Sequence, residues 1–111
     1  MIRSIARVLS HPDVPRVRHY VGFPPELTQA KDKREDMKPA YFLVIEEKSD
    51  GVFLNRYAND GMFAGDTWHQ SEADAKEQAE YEFDGLSEWR EVPPGVDDVV
   101  SYAMASFDRL S

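Results

Sequence analysis

Three β-forming runs separated by short turns occupy residues 41–69, and no other part of the chain restricts the fold as strongly. Residues 41–45 are rich in β-forming side chains and apolar on both faces, which is typical of a central strand. Asp50 with Gly51, and then the Asn-Asp-Gly string at 59–61, favour tight turns because these residues tolerate positive φ. The pattern predicts a three-stranded antiparallel meander over residues 41–69.

A helix is predicted near residues 71–84, directly after the meander. Ser71 can accept a hydrogen bond from a free N–H group of the first turn, where acidic side chains also suit the positive end of the helix dipole. Gly85 would suit a left-handed cap at the carboxyl end. Apolar positions recur every fourth residue, as one buried side of a helix requires, at Ala75, Ala79 and Phe83.

The remaining segments give weaker patterns. Residues 87–92 alternate with period two, which predicts a fourth strand that ends at the prolines of residues 93–94. Apolar residues spaced at i, i+3 and i+4 predict a second amphipathic helix near 95–110. Residues 2–9 and 16–23 indicate two N-terminal strands that could pair as a hairpin.

The sequence therefore predicts an α+β fold with a single domain over residues 1–111. Its antiparallel sheet would contain the meander, the strand near 87–92 and the N-terminal strands. Both helices, near 71–84 and 95–110, need an apolar face to cover, and we expect them to share one face of this sheet. The proline-flanked, highly charged segment at 24–39 favours either a short solvated helix or a mobile linker.

Composition excludes several classes of protein. The chain contains no cysteine, which excludes disulfides, thiolate metal sites and cysteine nucleophiles and favours a reducing compartment. Its first residues are interrupted by Arg3 and Arg7 and lack the apolar core of a signal peptide, and no apolar run is long enough for a membrane helix. We therefore expect a soluble, cytoplasmic protein that does not use a membrane.

Charge is distributed unevenly along the chain. Residues 1–40 carry eight Lys and Arg against five Asp and Glu, whereas residues 41–111 carry five against sixteen, a net charge of −11. Phosphate backbones repel such an acidic body, because nucleic-acid binding depends on Lys and Arg. We therefore expect residues 41–111 to bind no nucleic acid, and their charge favours a basic protein as partner.

The sequence predicts no catalytic residues, no metal site and no cofactor. A general base at His69 would need a carboxylate partner, but the spacing to Asp66 places the two side chains on opposite faces of a strand. Zinc ligands usually occur as close pairs, whereas the three histidines are scattered at His11, His19 and His69. If these residues have only a structural role, Gly65 permits a bulge, Trp68 packs in the core and His69 leads into the helix cap.

The candidate binding residues lie on the first predicted helix and the segment after it, at Glu77, Glu80, Asp84, Glu88 and Trp89. The carboxylates could form a docking surface for a basic protein, or they could be an ordinary solvated helix face. Trp89 could anchor an interface or pack in the core. The sequence leaves both pairs of alternatives open.

Residues 41–83 resemble the HicB-type antitoxin domain. The matching features are a strand at 41–47, a turn and strand at 50–52, the Gly-Asp-Thr string at 65–67, and a helix with Ala75 and Ala79. Residues 57–61 stand where that family has a Pro-Asp-Leu-Pro-Gly string. The resemblance implies a non-catalytic domain that neutralises a toxic RNase by binding it. Small immunity proteins of bacterial toxin systems are similar in size, acidity and lack of cysteine.

These observations favour a non-enzymatic acidic binding domain of antitoxin or immunity type, which docks on a basic protein partner such as a toxin. The alternative is a structural or homo-oligomeric domain, for instance a homodimer that presents Trp89 or a sheet edge to a second copy. A third hypothesis is an enzyme whose site is assembled from distant residues around Arg56, Asp66 and His69.

Overall fold

A computed structural model describes residues 2–13, 16, 20–21, 35–36 and 39–108. The elements follow in the order β1 (Arg3–Ser10), β2 (Tyr20–Val21), β3 (Glu35–Asp36), β4 (Phe42–Lys48), β5 (Gly51–Tyr57), β6 (Phe63–His69), α1 (Glu72–Glu82), β7 (Gly85–Leu86), β8 (Arg90–Glu91) and α2 (Val99–Asp108). Within the described residues, six strands form one antiparallel sheet in the order β6, β5, β4, β1, with β7 and β8 both on the outer side of β1. Strands β2 and β3 form a separate pair.

The meander predicted over residues 41–69 is confirmed as β4, β5 and β6. Its two turns contain Gly51 with a φ of 148° and Gly61 with a φ of 83°, which side chains other than glycine rarely adopt. Gly65 has a φ of 109° and lies where the register of the β5–β6 pair shifts, as expected of a bulge.

The sheet is covered on both faces, with one helix on each. Leu43 and Ile45 of β4 pack in one core cluster with the alanines of α1, whereas Phe42 and Val44 pack in a second cluster with α2. Side chains alternate across a strand. The two helices therefore lie on opposite faces, which we call the α1 face and the α2 face.

The α+β class, the antiparallel sheet and the two helices are confirmed, but the helices do not share the single face that we expected. The physical reason lies in residues 41–45, which are apolar at consecutive positions. A strand of this kind has two faces to remove from water, and a helix on one side covers only one of them.

Each helix begins at a side-chain cap. Ser71 accepts a hydrogen bond from the backbone N–H of Asp74 at 3.1 Å, and Asp98 accepts one from the backbone N–H of Ser101 at 3.1 Å. Hydrogen bonds from Ser101 lower the pKa of Asp98, because they stabilise its charged form. The predicted serine cap of the first helix is therefore confirmed.

The single strand predicted near 87–92 is instead two short strands, β7 and β8, on either side of residues 87–89. At the interruption the Ser87 hydroxyl accepts a hydrogen bond from the Arg7 N–H at 2.8 Å, while the Ser87 N–H donates to the Arg7 carbonyl. A side-chain oxygen thus takes the place that a backbone carbonyl would have in a regular ladder. The predicted strand is therefore confirmed at β8 but is shorter than expected, because period-two alternation in the sequence does not reveal this replacement.

Gly85 is not the left-handed cap predicted for the first helix. The helix ends instead at Phe83 in extended backbone, and Gly85 lies in β7 opposite Ser10. A Cβ atom added at Gly85 would lie 3.2 Å from the Ser10 Cβ atom. The glycine therefore allows two strands to approach closely, which is a different use of its missing side chain.

The N-terminal strand at 2–9 is confirmed as β1, but among the described residues of the second segment at 16–23 none pairs with it. Both edges of β1 are occupied, by β4 on one side and by β7 and β8 on the other. The described part of the second segment, β2, pairs with β3 instead. Most of the segment at 24–39 lies outside the described residues, as does the end of the second predicted helix beyond residue 108.

Candidate functional site

A surface cleft of about 390 Å³ lies beside the carboxyl end of α1 and the residues that follow it. Three carboxylates, two aromatic rings, a leucine and a serine line it: Glu80, Phe83, Asp84, Leu86, Ser87, Glu88 and Trp89. Four of the five residues predicted for binding belong to this set. The exception, Glu77, is exposed on α1 one turn before Glu80 and does not line the cleft.

The aromatic wall of the cleft continues into the core cluster of the α1 face. Phe83 is buried, and its ring makes an edge contact with His11 at 5.6 Å between centroids. Leu86 and Trp89 are partly buried against the same cluster. Trp89 therefore packs on the core cluster with one part and lines the cleft with another, and its use as an interface anchor stays a prediction.

Two cations already lie beside this cleft. The Lys76 Nζ atom is 2.8 Å from a carboxylate oxygen of Glu72 and 5.9 Å from the centre of the Trp89 ring. Arg16 reaches the other side: its Nη1 atom donates to the Tyr81 carbonyl at 2.9 Å, and its Nη2 atom donates to Asp84 Oδ1 at 2.9 Å. The cleft thus attracts positive charge from within its own chain.

The carboxylates of the cleft act as a spread negative surface. In the part of the chain that the structure describes, no three His, Asp or Glu side chains are grouped so that they could hold a metal ion. Glu80 lies in the last turn of α1, Asp84 follows the end of this helix, and Glu88 lies on the next segment, and all three line the cleft. Such an arrangement suits contact with the cationic side chains of another molecule.

A second polar group of residues is buried between the sheet and α1. The Arg56 guanidinium is 1% exposed and forms an ion pair with both carboxylate oxygens of Glu82, which is 4% exposed. Arg56 also donates to the Leu54 carbonyl at 3.0 Å, and Gln78 donates to Glu82 at 2.9 Å. This ion pair joins β5 to the last turn of α1.

The hydrogen bonds of Arg56 extend through Thr67 to His69. Arg56 Nη2 donates to the Thr67 hydroxyl oxygen at 3.2 Å, so the hydroxyl hydrogen is available for His69 Nε2 at 2.6 Å. His69 Nδ1 lies 3.0 Å from an Asp74 carboxylate oxygen. These contacts join Arg56 to the Asp74 carboxylate through Thr67 and His69.

The sequence correctly separated His69 from Asp66, but it did not identify the actual carboxylate partner, Asp74. A hydroxyl, an imidazole and a carboxylate in a row also occur in hydrolases. Here the Thr67 hydroxyl is held by Arg56 as well, and none of these residues lines the cleft. The arrangement ties β6 to the first turn of α1.

The expectation that Trp68 packs in the core is wrong, because this side chain is 53% exposed. Its neighbours Thr67 and His69 face α1, so strand alternation turns Trp68 to the opposite face, outside the cluster beneath α2. The Trp68 indole N–H donates to the Asp50 carbonyl at 3.0 Å, and the ring lies against Gly51.

Comparisons of the chain with family models, with curated proteins and with solved structures found no match. The resemblance of residues 41–83 to the HicB-type domain therefore stays a prediction. Among the described helices, none is both long enough and apolar enough to cross a membrane.

Proposed function

We propose that this protein is a non-enzymatic binding domain of the antitoxin or immunity type, whose acidic cleft docks on a basic protein such as a toxin. The observation that carries the proposal is the cleft itself, which three carboxylates and a partly buried tryptophan line together. Aromatic residues at the centre of a binding surface supply much of its affinity, while charges around them select the partner.

Charge and rigidity both support this use of the cleft. The net charge of −11 over residues 41–111 would accelerate the approach of a basic partner and favour it over acidic ones. The buried ion pair between Arg56 and Glu82 holds the end of the helix that presents Glu80 and leads to Asp84. A surface that is already ordered loses less conformational entropy on binding.

The partner can be identified by expressing the tagged protein in its native host and comparing capture at low and high salt. The proposal expects a basic protein that is released by salt and whose nuclease activity decreases in proportion to the amount of this protein added. Capture of the protein by itself alone, or a captured protein whose activity is unaffected, would count against the toxin-neutralising function.

Charge reversal tests which surface is used. Replacing Glu77, Glu80 and Glu88 together by Lys should slow association with the captured basic protein by about tenfold or more, because electrostatic steering acts mainly on the association rate. The matched control replaces Glu47, Asp66 and Asp97, which are outside the cleft lining, and changes the net charge equally. Stopped-flow or surface-plasmon measurements that give equal rates for the two triple variants would exclude the cleft.

The edge of the sheet supports a homo-oligomeric domain as a second candidate. Among the described strands β6 pairs with β5 alone, and it exposes Phe63 and Trp68. The bulge at Gly65 and the exposed carboxylate of Asp66 oppose regular pairing with a second copy. Light scattering over rising concentration separates the two candidates, since a monomer throughout would contradict the oligomer.

A further inference from the structure

Arg16 binds the outer side of the cleft in a way that depends on the shape of its guanidinium group. Two different nitrogens contact two acceptors at 2.9 Å, the Tyr81 carbonyl and the Asp84 carboxylate. A planar guanidinium presents its N–H groups as a fixed fork, whereas a lysine ammonium is a single point of charge. The pair of acceptors therefore favours arginine over lysine.

The end of α1 explains why an arginine binds there. The last turn of α1 contains no basic residue, and the Tyr81 carbonyl belongs to this turn, where helix carbonyls lack a partner within the helix. The carboxyl end of a helix also carries partial negative charge, and Asp84 adds a full one two residues beyond Glu82. Arg16, 65 residues from Tyr81 in the sequence, supplies the missing cation.

The contact is also weak enough to be replaced. The side chains of Arg16 and Asp84 are 40% and 43% exposed, and exposed ion pairs of this kind contribute little to stability. Asp84 is at the same time one of the residues that line the cleft. A ligand in the cleft and Arg16 would therefore contact the same carboxylate.

We propose that the Tyr81 carbonyl and the Asp84 carboxylate form an arginine-binding position of the cleft, and that Arg16 occupies it in competition with an arginine of the partner. The inference rests on the proposed function, which names a basic partner, and adds the side chain that this partner presents. It also makes Arg16 an internal competitor, so that the free protein binds the partner more weakly than the empty position would.

The test uses two defined probes, an end-blocked peptide of five arginines and its five-lysine counterpart, titrated calorimetrically at low salt. Arg16→Gln should bind the arginine peptide about two- to fivefold more tightly than the original protein does, a range set by the weakness of an exposed ion pair. The charge-matched control is Lys48→Gln at the β4–β5 turn, outside the cleft. It should raise affinity for both peptides slightly and equally.

Asp84→Asn should remove the preference for arginine over lysine. Arg16→Lys should bind the arginine peptide more tightly than the original protein does, because lysine competes poorly for the two acceptors. Equal gains from Arg16→Gln and Lys48→Gln, or no binding of the arginine peptide by Arg16→Gln, would overturn the inference. The toxin-neutralising function is decided separately by capture and nuclease inhibition, so that either idea can fail while the other stands.

Discussion

The two faces of the sheet are covered by helices of similar length but are held together by different interactions. On the α2 face the contacts are apolar, with Phe42, Val44 and Phe107 among the buried side chains. On the α1 face the apolar cluster lies next to the buried ion pair of Arg56 and Glu82. Apolar contacts allow a helix to shift and repack, whereas a buried ion pair is satisfied at one position of the helix only.

The difference bears on function because the candidate cleft belongs to the α1 face. Glu80 and Asp84 lie on either side of Glu82 in the sequence, so the residue that is anchored to the sheet is flanked by two that face the cleft. We infer that the ion pair serves to fix the position of this surface more than to increase stability, since buried ion pairs add little net stability.

Removing one member of the ion pair should have the largest effect on stability of the changes that test the difference between the two faces. Glu82→Leu should lower the free energy of unfolding by about 3–5 kcal/mol, because Arg56 would remain buried without its carboxylate. The double variant Arg56→Met with Glu82→Leu should recover most of this loss. Urea unfolding of both variants measures the effect, and a single variant as stable as the original would contradict burial of the pair.

Overpacking sharpens the comparison between the faces. Ala79 of α1 and Ala103 of α2 are both fully buried, so leucine at either position needs room. Such changes cost about 1–3 kcal/mol. We expect the cost of Ala79→Leu to lie near the upper end of this range, because the ion pair prevents α1 from moving. The cost of Ala103→Leu should lie near the lower end. Thermal unfolding compares the two, and a greater loss from Ala103→Leu would reverse our interpretation.

The two helix caps should differ least in the stability that they contribute, and this difference depends on pH. Ser71→Ala should destabilise the protein by about 1 kcal/mol at any pH, since a hydroxyl cap does not titrate in this range. The pKa of Asp98 is lowered below its usual 3.8. Its contribution is therefore fully present above the pKa of the unfolded state and is lost as the pH falls through the folded pKa.

Melting temperatures measured from pH 7 downwards test whether the contribution of Asp98 is lost as the pH falls. The stability difference between the original protein and Asp98→Ala should shrink as the pH falls below about 3.8, while the difference for Ser71→Ala should persist as long as the fold does. Parallel behaviour of the two variants would mean that the Asp98 carboxylate does not cap α2 in its charged form.

Short-range signals predicted the parts of the fold that depend on neighbours in the sequence. The turns at Gly51 and Gly61 and the alternating strands between them suffice for the meander, and Ser71 suffices for the start of α1. The assignment of both helices to one face of the sheet failed. An apolar stripe along a helix shows that the helix packs against something, but it does not show which face of the sheet it covers. Trp68 was misplaced because size predicts burial only on average.

The candidate site was predicted as far as local spacing allows. Glu80 lies near the end of the first helix, and Asp84, Glu88 and Trp89 follow shortly after it in the sequence, so the sequence alone could indicate a common surface. Arg16 was missed because it lies 68 residues from Asp84, and nothing in either segment indicates that contact.

The central position of β1 has a consequence for the order of folding. In this strand Arg3 pairs with Glu46 and Ser4 pairs with Glu91, whereas the meander is closed by short turns. Pairing over long stretches of chain carries the entropy cost of closing large loops, which local hairpins avoid. We expect the meander to form early and β1 to pair with β4 late, so that β7 and β8, whose sheet partner is β1, can join the sheet only after it.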